Sequence, residues 1–514
     1  MSDKNTGSFY TPTSLIDYMV SYLDGRVTPN SILEPSAGDG RFVSALSRFN
    51  AKITLVESEK EKVKDLSDKY GDICRVVHSD FIKYSLNKKG TFDLIIGNPP
   101  YIAKKNISKA HANASYRMIE KFSLDKDIFQ NMWVSFVLAS INVLSHDGTI
   151  FFVLPFEFLQ VLYAEKLRAF LEDRFNTIEI ITFENHIFDG IEQDICLVYM
   201  SNEAEGKPYI QYITLESAQK PNLLFQSRIM RNKPLKKWSN CILTDDETEA
   251  LVNLAKRFPK IETFGEIAPG IVTGANNYFT LSKTSINALN LPDNNMLPIL
   301  IKSSLVPALL LFLQDDFSTI TETQTRSYLI NTNGLDESLF SNELKEYLRS
   351  GEKKKINKRY KCKCRSRWYD VPIVKNGAVL FFKRFHTVPR MVVNLANINT
   401  SDIAYNIRFK GSYDAKSFAF SFYNSLTLAQ CEYNGRFYGG GVGELVPSEF
   451  KSLHIPYRLI PEEEIQELDQ LFRANTDLER IINYVDSRVL ADLSDKERLF
   501  LREIRQRYLK RRLK

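Results

Sequence analysis

The stretch Ser31-Ile32-Leu33-Glu34-Pro35-Ser36-Ala37-Gly38-Asp39-Gly40-Arg41-Phe42 decides the fold. Its first part, Ser31–Glu34, is a short apolar run that is typical of a buried strand. The turn that follows carries Gly38 and Gly40, and glycines at a strand-to-helix turn let the backbone approach a bound molecule closely. This pattern predicts the first strand of a nucleotide-binding type of sheet, although a single Gly-x-Gly is shared by many such folds.

Short β-rich runs alternate with helical patterns over the first 200 residues. The predicted strands are Ser31–Glu34, Ile53–Glu57, Ile73–Val77, Phe92–Gly97, Thr149–Leu154, Thr177–Thr182 and Ile195–Met200. Between the fourth and fifth strands, apolar residues recur at helical spacing from Val134 to Leu144. Strands that alternate with helices predict an α/β fold with a mostly parallel, doubly wound, Rossmann-like sheet. The polar stretch Asn202–Pro208 predicts a linker after it.

Acidic residues stand at the ends of two further strands. Glu57 ends the second strand, and Asp80-Phe81 follows the third. An acid after the second strand can accept hydrogen bonds from ribose hydroxyls. An acid beside an aromatic ring can bind an exocyclic amine while the ring stacks on a purine. Because a doubly wound sheet binds ligands at the carboxyl ends of its strands, these strand ends together predict a nucleoside-binding site.

The fourth strand runs directly into Asn98-Pro99-Pro100-Tyr101. The two prolines fix the backbone and remove two N–H donors, so the turn presents carbonyl acceptors next to the Asn98 amide oxygen. The amine of an aminopurine is a poor nucleophile because its lone pair is delocalised into the ring. Two acceptors on its hydrogens would draw the nitrogen toward tetrahedral geometry and direct its lone pair at an electrophile. Tyr101 adds a stacking face, so the turn predicts a site that activates an exocyclic amine.

In this order the motifs resemble those of the gamma-class N6-adenine DNA methyltransferases, the group that includes the TaqI enzyme. The matching segments are Gly7–Pro12, Glu34–Phe42, Glu57, Asp80-Phe81, Asn98–Tyr101, Asn131-x-Trp133-x-x-Phe136, Leu144–Pro155 and the Phe188 region before Asp194–Val198. Trp133 stands where Tyr is more usual, and Ser36 and Asp39 vary the glycine turn. The resemblance covers about residues 7–200 and implies that S-adenosylmethionine is the methyl donor.

The same resemblance implies a role for each site residue. The cofactor-binding residues would be Thr11, Pro12, Glu34, Ser36, Ala37, Gly38, Glu57, Asp80, Phe81, Asn98 and Phe136. Of these, Thr11 and Pro12 would lie near the methionine end of the donor, Glu57 would hold the ribose, and Asp80 and Phe81 would hold the adenine.

The catalytic residues implied are Asn98, Pro99, Pro100, Tyr101 and Phe188. Asn98 and the Pro99 carbonyl would grip the target amine, while Tyr101 and Phe188 sandwich a flipped-out adenine. Flipping costs a few kcal/mol, and each stacked base returns roughly 1–3 kcal/mol. The reaction would be a direct in-line displacement at the methyl group, in which positioning does most of the work and no metal is required.

The residues beyond the catalytic fold are numerous enough for a separate recognition domain. We expect a catalytic domain at 1–205, a mixed α+β target-recognition domain at 215–460, and a helical segment with a basic tail at 461–514. Segments that resemble target-recognition regions of related adenine methyltransferases are Gly270–Phe279, Arg367-Trp368-Tyr369, Ala378–Phe385, Tyr438–Gly441 and Glu444-Leu445-x-Pro447.

Positive charge is concentrated in two segments although the formal net charge is only +6. Lys353–Arg367 holds nine Lys and Arg without an acid, and Arg502–Lys514 holds seven against Glu503. A basic patch on an otherwise acidic chain predicts a polyanionic partner, here double-stranded DNA. For Arg502–Lys514, contact with the DNA backbone and a solvated tail both stay open. The expected DNA-binding residues are Lys353, Lys354, Lys355, Lys358, Arg359, Lys361, Lys363, Arg365, Arg367, Trp368, Lys383, Arg384 and Tyr438.

Composition excludes several classes of protein. The 514 residues are 44% apolar and 25% charged, which is typical of a globular protein and not of a disordered one. No apolar run is long enough to span a bilayer, and the polar Met1–Tyr10 lacks a signal core, so we expect a cytoplasmic protein. Six cysteines are too few for a disulfide scaffold, and they form no zinc-binding pattern.

No nuclease motif is evident, since Gly7–Pro12 leaves no room upstream and Pro292-Asp293 lacks a convincing Glu-x-Lys partner. We therefore expect a monomeric modification enzyme of a restriction–modification system, partnered by a separate restriction endonuclease that acts on the same site.

Other functions stay open. Asn-Pro-Pro-Tyr also occurs in methyltransferases that act on RNA or on protein glutamines, and amino methylation of cytosine is a related chemistry that more often uses Ser in place of Asn98. A DNA-binding protein that retains the fold without catalysis is a further alternative. A nicotinamide oxidoreductase is the most distant, because the Glu34–Gly40 turn departs from Gly-x-Gly-x-x-Gly.

Overall fold

The computed structural model of the chain describes residues 10–88, 90–185, 194–202, 207–231 and 234–513. The chain divides into two compact units. The first comprises the described residues up to Thr248 together with Tyr438–Gly441, and the second comprises Glu249–Phe437 and Val442–Leu513. Within the described ranges, no helix is both long and apolar enough to cross a membrane.

A nine-stranded sheet forms the centre of the first unit, with strand order 3-2-1-4-5-7-6-8-9. Its strands are β1 (Ser31–Glu34), β2 (Lys52–Glu57), β3 (Cys74–His78), β4 (Phe92–Gly97), β5 (Leu144–Pro155), β6 (Thr177–Phe183), β7 (Ile195–Ser201), β8 (Tyr209–Leu215) and β9 (Leu223–Met230). The first five strands are parallel, whereas β7 runs antiparallel to both β5 and β6. The predicted doubly wound α/β fold is confirmed, and β5 is longer than predicted.

The helices of the first unit pack their apolar sides on this sheet. They are α1 (Thr13–Leu23), α2 (Val43–Leu46), α3 (Lys60–Tyr70), α4 (Phe81–Asn87), α5 (Lys109–Lys121), α6 (Met132–Asn142) and α7 (Glu165–Arg174). The central strands are buried along almost their whole length, as parallel strands covered on both faces must be. Leu15, Phe42, Leu55, Leu94 and Phe151 belong to one apolar core on α1, on β1 and its turn, and on the neighbouring strands.

The sheet continues beyond residue 205, where we expected the catalytic domain to end. β8 pairs in parallel with β6 over its whole length, and β9 pairs antiparallel with β8. Farther along the chain, Trp238 is fully buried and donates a 2.7 Å hydrogen bond to Glu172. Because β8 and β9 pair with what would otherwise be an exposed edge, the first unit continues beyond residue 205, up to Thr248. Residues 203–206 of the predicted linker lie outside the described residues.

Three smaller sheets lie in the rest of the chain, with orders 10-19-15-17-13, 11-14-12-18 and 16-21-20. Their strands are β10 (Gly265–Pro269), β11 (Thr280–Leu281), β12 (Met296–Leu300), β13 (Leu311–Phe312), β14 (Tyr328–Ile330), β15 (Val379–Phe382), β16 (Arg384–Phe385), β17 (Arg390–Asn394), β18 (Asn399–Thr400), β19 (Ala404–Phe409), β20 (Arg436–Tyr438) and β21 (Val442–Glu444). This part is mixed α+β, as predicted.

The helices of this part surround the small sheets and close the chain. They are α8 (Asp245–Ala255), α9 (Asn276–Phe279), α10 (Lys283–Ala288), α11 (Gln314–Glu322), α12 (Asn342–Lys353), α13 (Tyr360–Lys363), α14 (Ala415–Phe422), α15 (Ser425–Asn434), α16 (Pro447–Lys451), α17 (Glu462–Arg473), α18 (Leu478–Val489) and α19 (Asp495–Arg512). The last three lie within the stretch 461–514 that the sequence predicts to be helical.

Arg502–Lys514 is not a solvated tail. Its residues up to Arg512 lie in α19, where Arg505, Arg511 and Arg512 are buried. The Arg512 guanidinium lies 2.7 Å from the buried Glu432 carboxylate on α15, and Arg505 lies 3.0 Å from Glu479. Long arginine stems can pack against apolar surface while their guanidinium groups pair with acids. Arg505 and Arg512 therefore join α19 to the second unit, so the prediction of a solvated tail is wrong for Arg502–Arg512, whereas contact of this segment with the DNA backbone stays a prediction.

Replacing Arg512 by alanine should destabilise the second unit strongly. The Glu432 carboxylate would stay buried without its closest cation, a change that typically costs about 3–5 kcal/mol of unfolding free energy. The exposed Lys496 on the same helix provides the control, because Lys496→Ala should change stability by no more than about 0.5 kcal/mol. Equilibrium urea unfolding followed by circular dichroism would measure both. Equal stabilities of Arg512→Ala and wild type would show that the pair is solvated.

Candidate active site

The glycine turn after β1 has a geometry that few residues can adopt. Gly38 and Gly40 have φ values of 58° and 77°, in the left-handed region that favours glycine. A Cβ on Gly40 would lie 2.7 Å from the side chains of Leu66 and Tyr70 on α3. Both the backbone conformation and the packing of α3 therefore require glycine here, which brings main-chain atoms to the edge of the sheet.

Glu57, at the end of β2, holds this turn in place. Its carboxylate accepts hydrogen bonds from the backbone N–H groups of Gly38, Ser58 and Glu59, at 2.9, 2.7 and 2.9 Å. The Ser58 hydroxyl adds a longer bond of 3.3 Å to Oε1, whereas Oε2 accepts only from Gly38 among the described residues and keeps one acceptor position for a hydroxyl group of a ligand. The side chain is buried within the protein, and its orientation is set before any ligand binds.

Arg41 links the glycine turn to the segment before α1. It pairs with Asp39 at 2.7 Å and donates a 3.0 Å hydrogen bond to the carbonyl oxygen of Thr11. The Thr11 hydroxyl in turn accepts a 3.2 Å hydrogen bond from the Asn98 amide nitrogen. A chain of contacts thus runs from the glycine turn to the residue predicted to bind the target amine. Arg41 was not among the predicted site residues, although it lies within the turn motif.

Glu34 lies on the floor of the site and is almost fully buried. Its Oε2 atom has no hydrogen-bond partner among the described residues. Burial raises the pKa of this carboxyl well above its ordinary value, and the nearby charges of Asp39 and Glu57 raise it further. The surroundings of this carboxyl group therefore favour its neutral form, and a cation beside it would favour the charged form.

Asp80 and Phe81 follow β3 as predicted and begin α4. Asp80 caps this helix by accepting a 2.9 Å hydrogen bond from the backbone N–H of Lys83. Phe81 packs against Phe136 of α6, with 5.3 Å between the ring centroids. Tertiary structure adds His111 of α5, whose Nε2 lies 3.2 Å from Asp80 Oδ2. No local spacing signals His111, because it belongs to a helix that begins after the next strand of the sheet.

The Asn98–Tyr101 turn follows β4 and is fixed at several points. The Ser36 hydroxyl donates a 3.2 Å hydrogen bond to the Asn98 carbonyl oxygen, so the turns after β1 and β4 are joined directly. The Tyr101 hydroxyl donates a 3.0 Å hydrogen bond to the carbonyl oxygen of Val153 on β5. Burial raises the pKa of Tyr101 well above its ordinary value, which keeps the phenol neutral.

These strand ends line one cleft of about 1050 Å³, its open mouth included. The predicted residues that line it are Thr11, Glu34, Ser36, Ala37, Gly38, Glu57, Asp80, Phe81, Asn98, Pro99, Pro100 and Phe136. Unpredicted lining residues include Tyr10, Arg41, Lys62, His111 and Met132. Pro12 precedes α1 and is not among the lining residues, Tyr101 packs against the apolar core beside the cleft, and Phe188 lies outside the described residues.

Most of the expected DNA-binding lysines are exposed on the second unit. The exposed residues are Lys353, Lys354, Lys355, Lys358, Arg359, Lys361 and Lys363. They extend from the end of α12 through α13, and Tyr360 among them is 76% exposed. Gly274 has a φ of 74°, and a Cβ there would lie 2.7 Å from Lys361 Cβ, so this run packs closely on the 270–279 motif.

Arg365, Arg367 and Trp368, also expected to bind DNA, make contacts within the second unit. Arg365 donates to the carbonyl oxygens of residues 272 and 273 at 3.1 and 2.7 Å, and burial lowers its pKa. Arg367 pairs with Asp370 at 2.7 Å, and the Trp368 ring packs against Tyr278. These contacts hold the three side chains against the second unit, although each of them stays partly exposed.

The remaining expected DNA-binding residues lie at the three-stranded sheet. Lys383 is half-buried, with its ammonium 3.5 Å from Asp402. Arg384 is exposed, and its Nε lies 3.4 Å from Glu444. Tyr438, at the end of β20, is 37% exposed and is followed by Gly440 and Gly441 in the left-handed region.

Two family models match the chain. The Eco57I restriction-modification methylase matches residues 40–188, and the C-terminal domain of Type II methyltransferase M.Eco57I matches residues 235–490. The first match begins at Gly40 within the glycine turn and includes the ends of β2 and β3 and the Asn98–Tyr101 turn. The second includes the basic run and the small sheets.

Similar proteins carry the same kind of name. Type II methyltransferase M.AccI of Acinetobacter calcoaceticus is 24% identical over 96% of this chain and 95% of its own length. Type II methyltransferase M.HincII of Haemophilus influenzae is 31% identical over 37% of this chain and 36% of its own length. The solved structure of the Type IIL restriction-modification enzyme MmeI in complex with DNA has a TM-score of 0.57 at 12% identity, covering 96% of this chain and 75% of that one. This last likeness is one of fold.

Replacing Glu34 by glutamine should change how stability depends on pH. Because the folded-state pKa of Glu34 is raised, its protonation stabilises the wild type below the unfolded pKa of about 4.3, and this contribution is lost as pH rises toward the folded value. Glu34→Gln has no ionisable carboxyl at this position, so it does not lose stability in this way as the pH rises. Its stability relative to wild type should therefore rise above about pH 4.5, by up to about 1.4 kcal/mol per pH unit.

Urea unfolding of both proteins between pH 5 and pH 8, without added ligand, would measure the difference. The exposed Glu61 on α3 supplies the matched control, since Glu61→Gln should follow wild type at every pH. A constant difference between Glu34→Gln and wild type would mean that Glu34 is ionised in the folded protein.

Proposed function

Since the chain is a methyltransferase of the restriction–modification type, we propose that it transfers a methyl group from S-adenosylmethionine to the N6 amine of an adenine flipped out of double-stranded DNA. One observation carries this proposal: the Asn98–Tyr101 turn opens into the same cleft as Glu57 and Asp80. A group that accepts hydrogen bonds from an amine thus stands beside groups suited to a nucleoside cofactor.

The residues around the cleft fit this cofactor. S-adenosylmethionine carries positive charge, a ribose diol and an adenine, and when bound it supplies an electrophilic methyl group. Glu34 offers a buried carboxyl oxygen without a protein partner among the described residues, and Glu57 retains acceptor capacity for the diol. Asp80 can accept from the adenine amine, while Phe81 and Phe136 offer apolar ring surface to the purine. The backbone of Ser36–Gly38 approaches the ligand because the glycine turn allows it.

The chain's own groups would activate and position the target amine. Asn98 is held by Thr11 and Ser36, so its amide oxygen and the Pro99 carbonyl are preorganised acceptors. Pro99 and Pro100 place no N–H donor in this turn. The proposal gives Tyr101, whose hydroxyl is bonded to Val153, the role of one ring on which the flipped base stacks, and Phe188 the role of the second ring. Stacking would offset part of the cost of flipping.

Adenine in DNA is the substrate that the residues favour. Cytosine amino methylation more often has Ser at the position of Asn98, and the exposed basic run Lys353–Lys363 suits the phosphates of a polynucleotide. Arg384 and Tyr438 are open to base or backbone contact. We propose further that the enzyme acts as a monomer and protects sites cut by a separate restriction endonuclease. In support, its relatives M.AccI and M.HincII are named as Type II methyltransferases.

Replacing Asn98 by alanine should lower the rate of methyl transfer to DNA by about 10²–10³-fold, because one preorganised acceptor for the amine is removed. Stability should change little, and Asn50→Ala, at an exposed asparagine, is the matched control with unchanged rate. The assay would combine transfer of a radiolabelled methyl group with mass spectrometry of the digested product. A rate close to wild type would remove Asn98 from the mechanism, and N4-methylcytosine as the product would overturn the choice of adenine.

Replacing Asp80 by asparagine should separate its two roles. Asn caps helices as well as Asp does, so stability should stay within about 0.5 kcal/mol. Affinity for S-adenosylmethionine should fall at least about tenfold, because a charged acceptor for the adenine amine becomes a neutral amide. Isothermal titration calorimetry would measure the affinity and urea unfolding the stability. Unchanged affinity would place the adenine end of the cofactor elsewhere.

A further inference from the structure

A basic segment follows the Asn98–Tyr101 turn directly and is not explained by the cofactor site. Residues 98–119 contain four Lys and Arg side chains and no acid. They are Lys104, Lys105, Lys109 and Arg117. This charge lies on the first unit, far along the chain from the basic run Lys353–Lys363. None of the sequence motifs described above gives it a function.

The position of this segment is fixed at the mouth of the cleft. Ile102 and His111 both line the cleft, so residues 103–110 run between two points of its rim. Backbone contacts hold the start of the segment, since Lys104 N–H donates to Gln130 O at 2.9 Å and Met132 N–H donates to Ile102 O at 2.9 Å. The rim segment is therefore a built part of the catalytic unit.

Three of the charges on this segment, Lys105, Lys109 and Arg117, are exposed. Among the described residues, neither Lys105 nor Lys109 forms an ion pair with a carboxylate. On α5, Ala114, Ser115, Met118 and Ile119 form the buried face, which leaves Lys109, Asn113 and Arg117 on the exposed face at four-residue spacing. Eight residues of helix span about 12 Å, so Lys109 and Arg117 are far enough apart to contact different phosphates.

Lys104 differs from its neighbours in being an anchor. It is half-buried, and its ammonium lies 5.5 Å from the ring centroid of Tyr116 and 5.9 Å from that of Phe129. These cation–π contacts hold the short turn from which the Lys105 side chain projects. The backbone at Lys105 is therefore held in place, unlike the backbone of a lysine on a loose loop.

We infer that Lys105, Lys109 and Arg117 form a second phosphate-binding surface, which holds the DNA backbone on either side of the flipped nucleotide at the mouth of the cleft. The inference rests on the proposed function. When a base rotates into the cleft, its own sugar and phosphates stay at the rim, where these cations lie. Contacts made there stabilise the flipped state and position the amine, whereas contacts from the run Lys353–Lys363 hold the duplex as a whole.

The test compares variants on a duplex that carries a site mapped by sequencing DNA treated with wild-type enzyme. Lys105→Gln combined with Lys109→Gln should lower kcat on this duplex by about 10-fold or more. The salt dependence of binding should also fall, with the slope of log K against log salt reduced by roughly 0.9 for each phosphate that the variant no longer neutralises. Affinity for S-adenosylmethionine should not change, since neither lysine lines the cleft.

Three control variants accompany this comparison. Lys69→Gln, at an exposed lysine on α3, should behave as wild type. Lys354→Ser with Lys358→Ser and Lys361→Ser should raise KM while leaving kcat nearly unchanged. Lys105→Arg with Lys109→Arg should retain activity, because the charge is kept.

A duplex with an abasic position opposite the target adenine distinguishes positioning from a structural defect. The target adenine unstacks more easily when it has no partner base. The kcat defect of the Lys105→Gln/Lys109→Gln variant should therefore be smaller on this duplex. Two outcomes would overturn the inference and leave the proposed function standing. One is an equal kcat defect of the variant on both duplexes. The other is an unchanged kcat and salt slope on DNA that the wild type methylates. Failure of wild type to methylate any DNA would instead overturn the proposed function.

Discussion

Parallel pairing of β1 with β2 and β4 is the constraint on which the site depends. Because parallel strands end at the same edge of a sheet, the turns after β1, β2, β3 and β4 are forced together there, although they are far apart in sequence. Side-chain contacts then join the turns: Glu57 accepts from the Gly38 backbone, and Ser36 donates to the Asn98 carbonyl. A slip in any of these strand pairings would separate the Asn98–Tyr101 turn from Glu57 and Asp80.

The electrostatics of the cleft follow from the same convergence. Three acids, Glu34, Asp39 and Glu57, stand near one another, and burial of Glu34 opposes its ionisation. Such a cluster is unfavourable in the protein alone and suits a ligand that brings positive charge. Arg41 neutralises Asp39 while it fastens Thr11 to the turn, so the unfavourable charge is concentrated on the side where the proposed sulfonium and ammonium groups would lie.

Arginine and lysine have separate tasks in the second unit. Arg365, Arg367, Arg505 and Arg512 make several hydrogen bonds each to carbonyl and carboxylate oxygens within the unit, which the planar guanidinium fork is suited to do. The lysines of the run 353–363 stay exposed and available to an external polyanion. Charge counting along a sequence treats both residue types alike, and for this reason it did not reveal that several of these arginines make contacts within the protein or that α19 carries buried arginines.

The sequence by itself determined the fold of the first 200 residues and most of the cleft. The sequence features that determined them are local: strand periodicity, the glycine turn and the order of the strand-end motifs. Parallel pairing places all the strand ends at one edge of the sheet, so these motifs can form only one site. Tertiary structure alone decided the rest. It added β8 and β9 to the sheet. An edge strand can pair with any suitable strand, and no local sequence pattern predicts which strand that will be. It brought His111 to Asp80 and buried Arg512 against Glu432, because such contacts depend on how helices pack and leave no spacing in the chain.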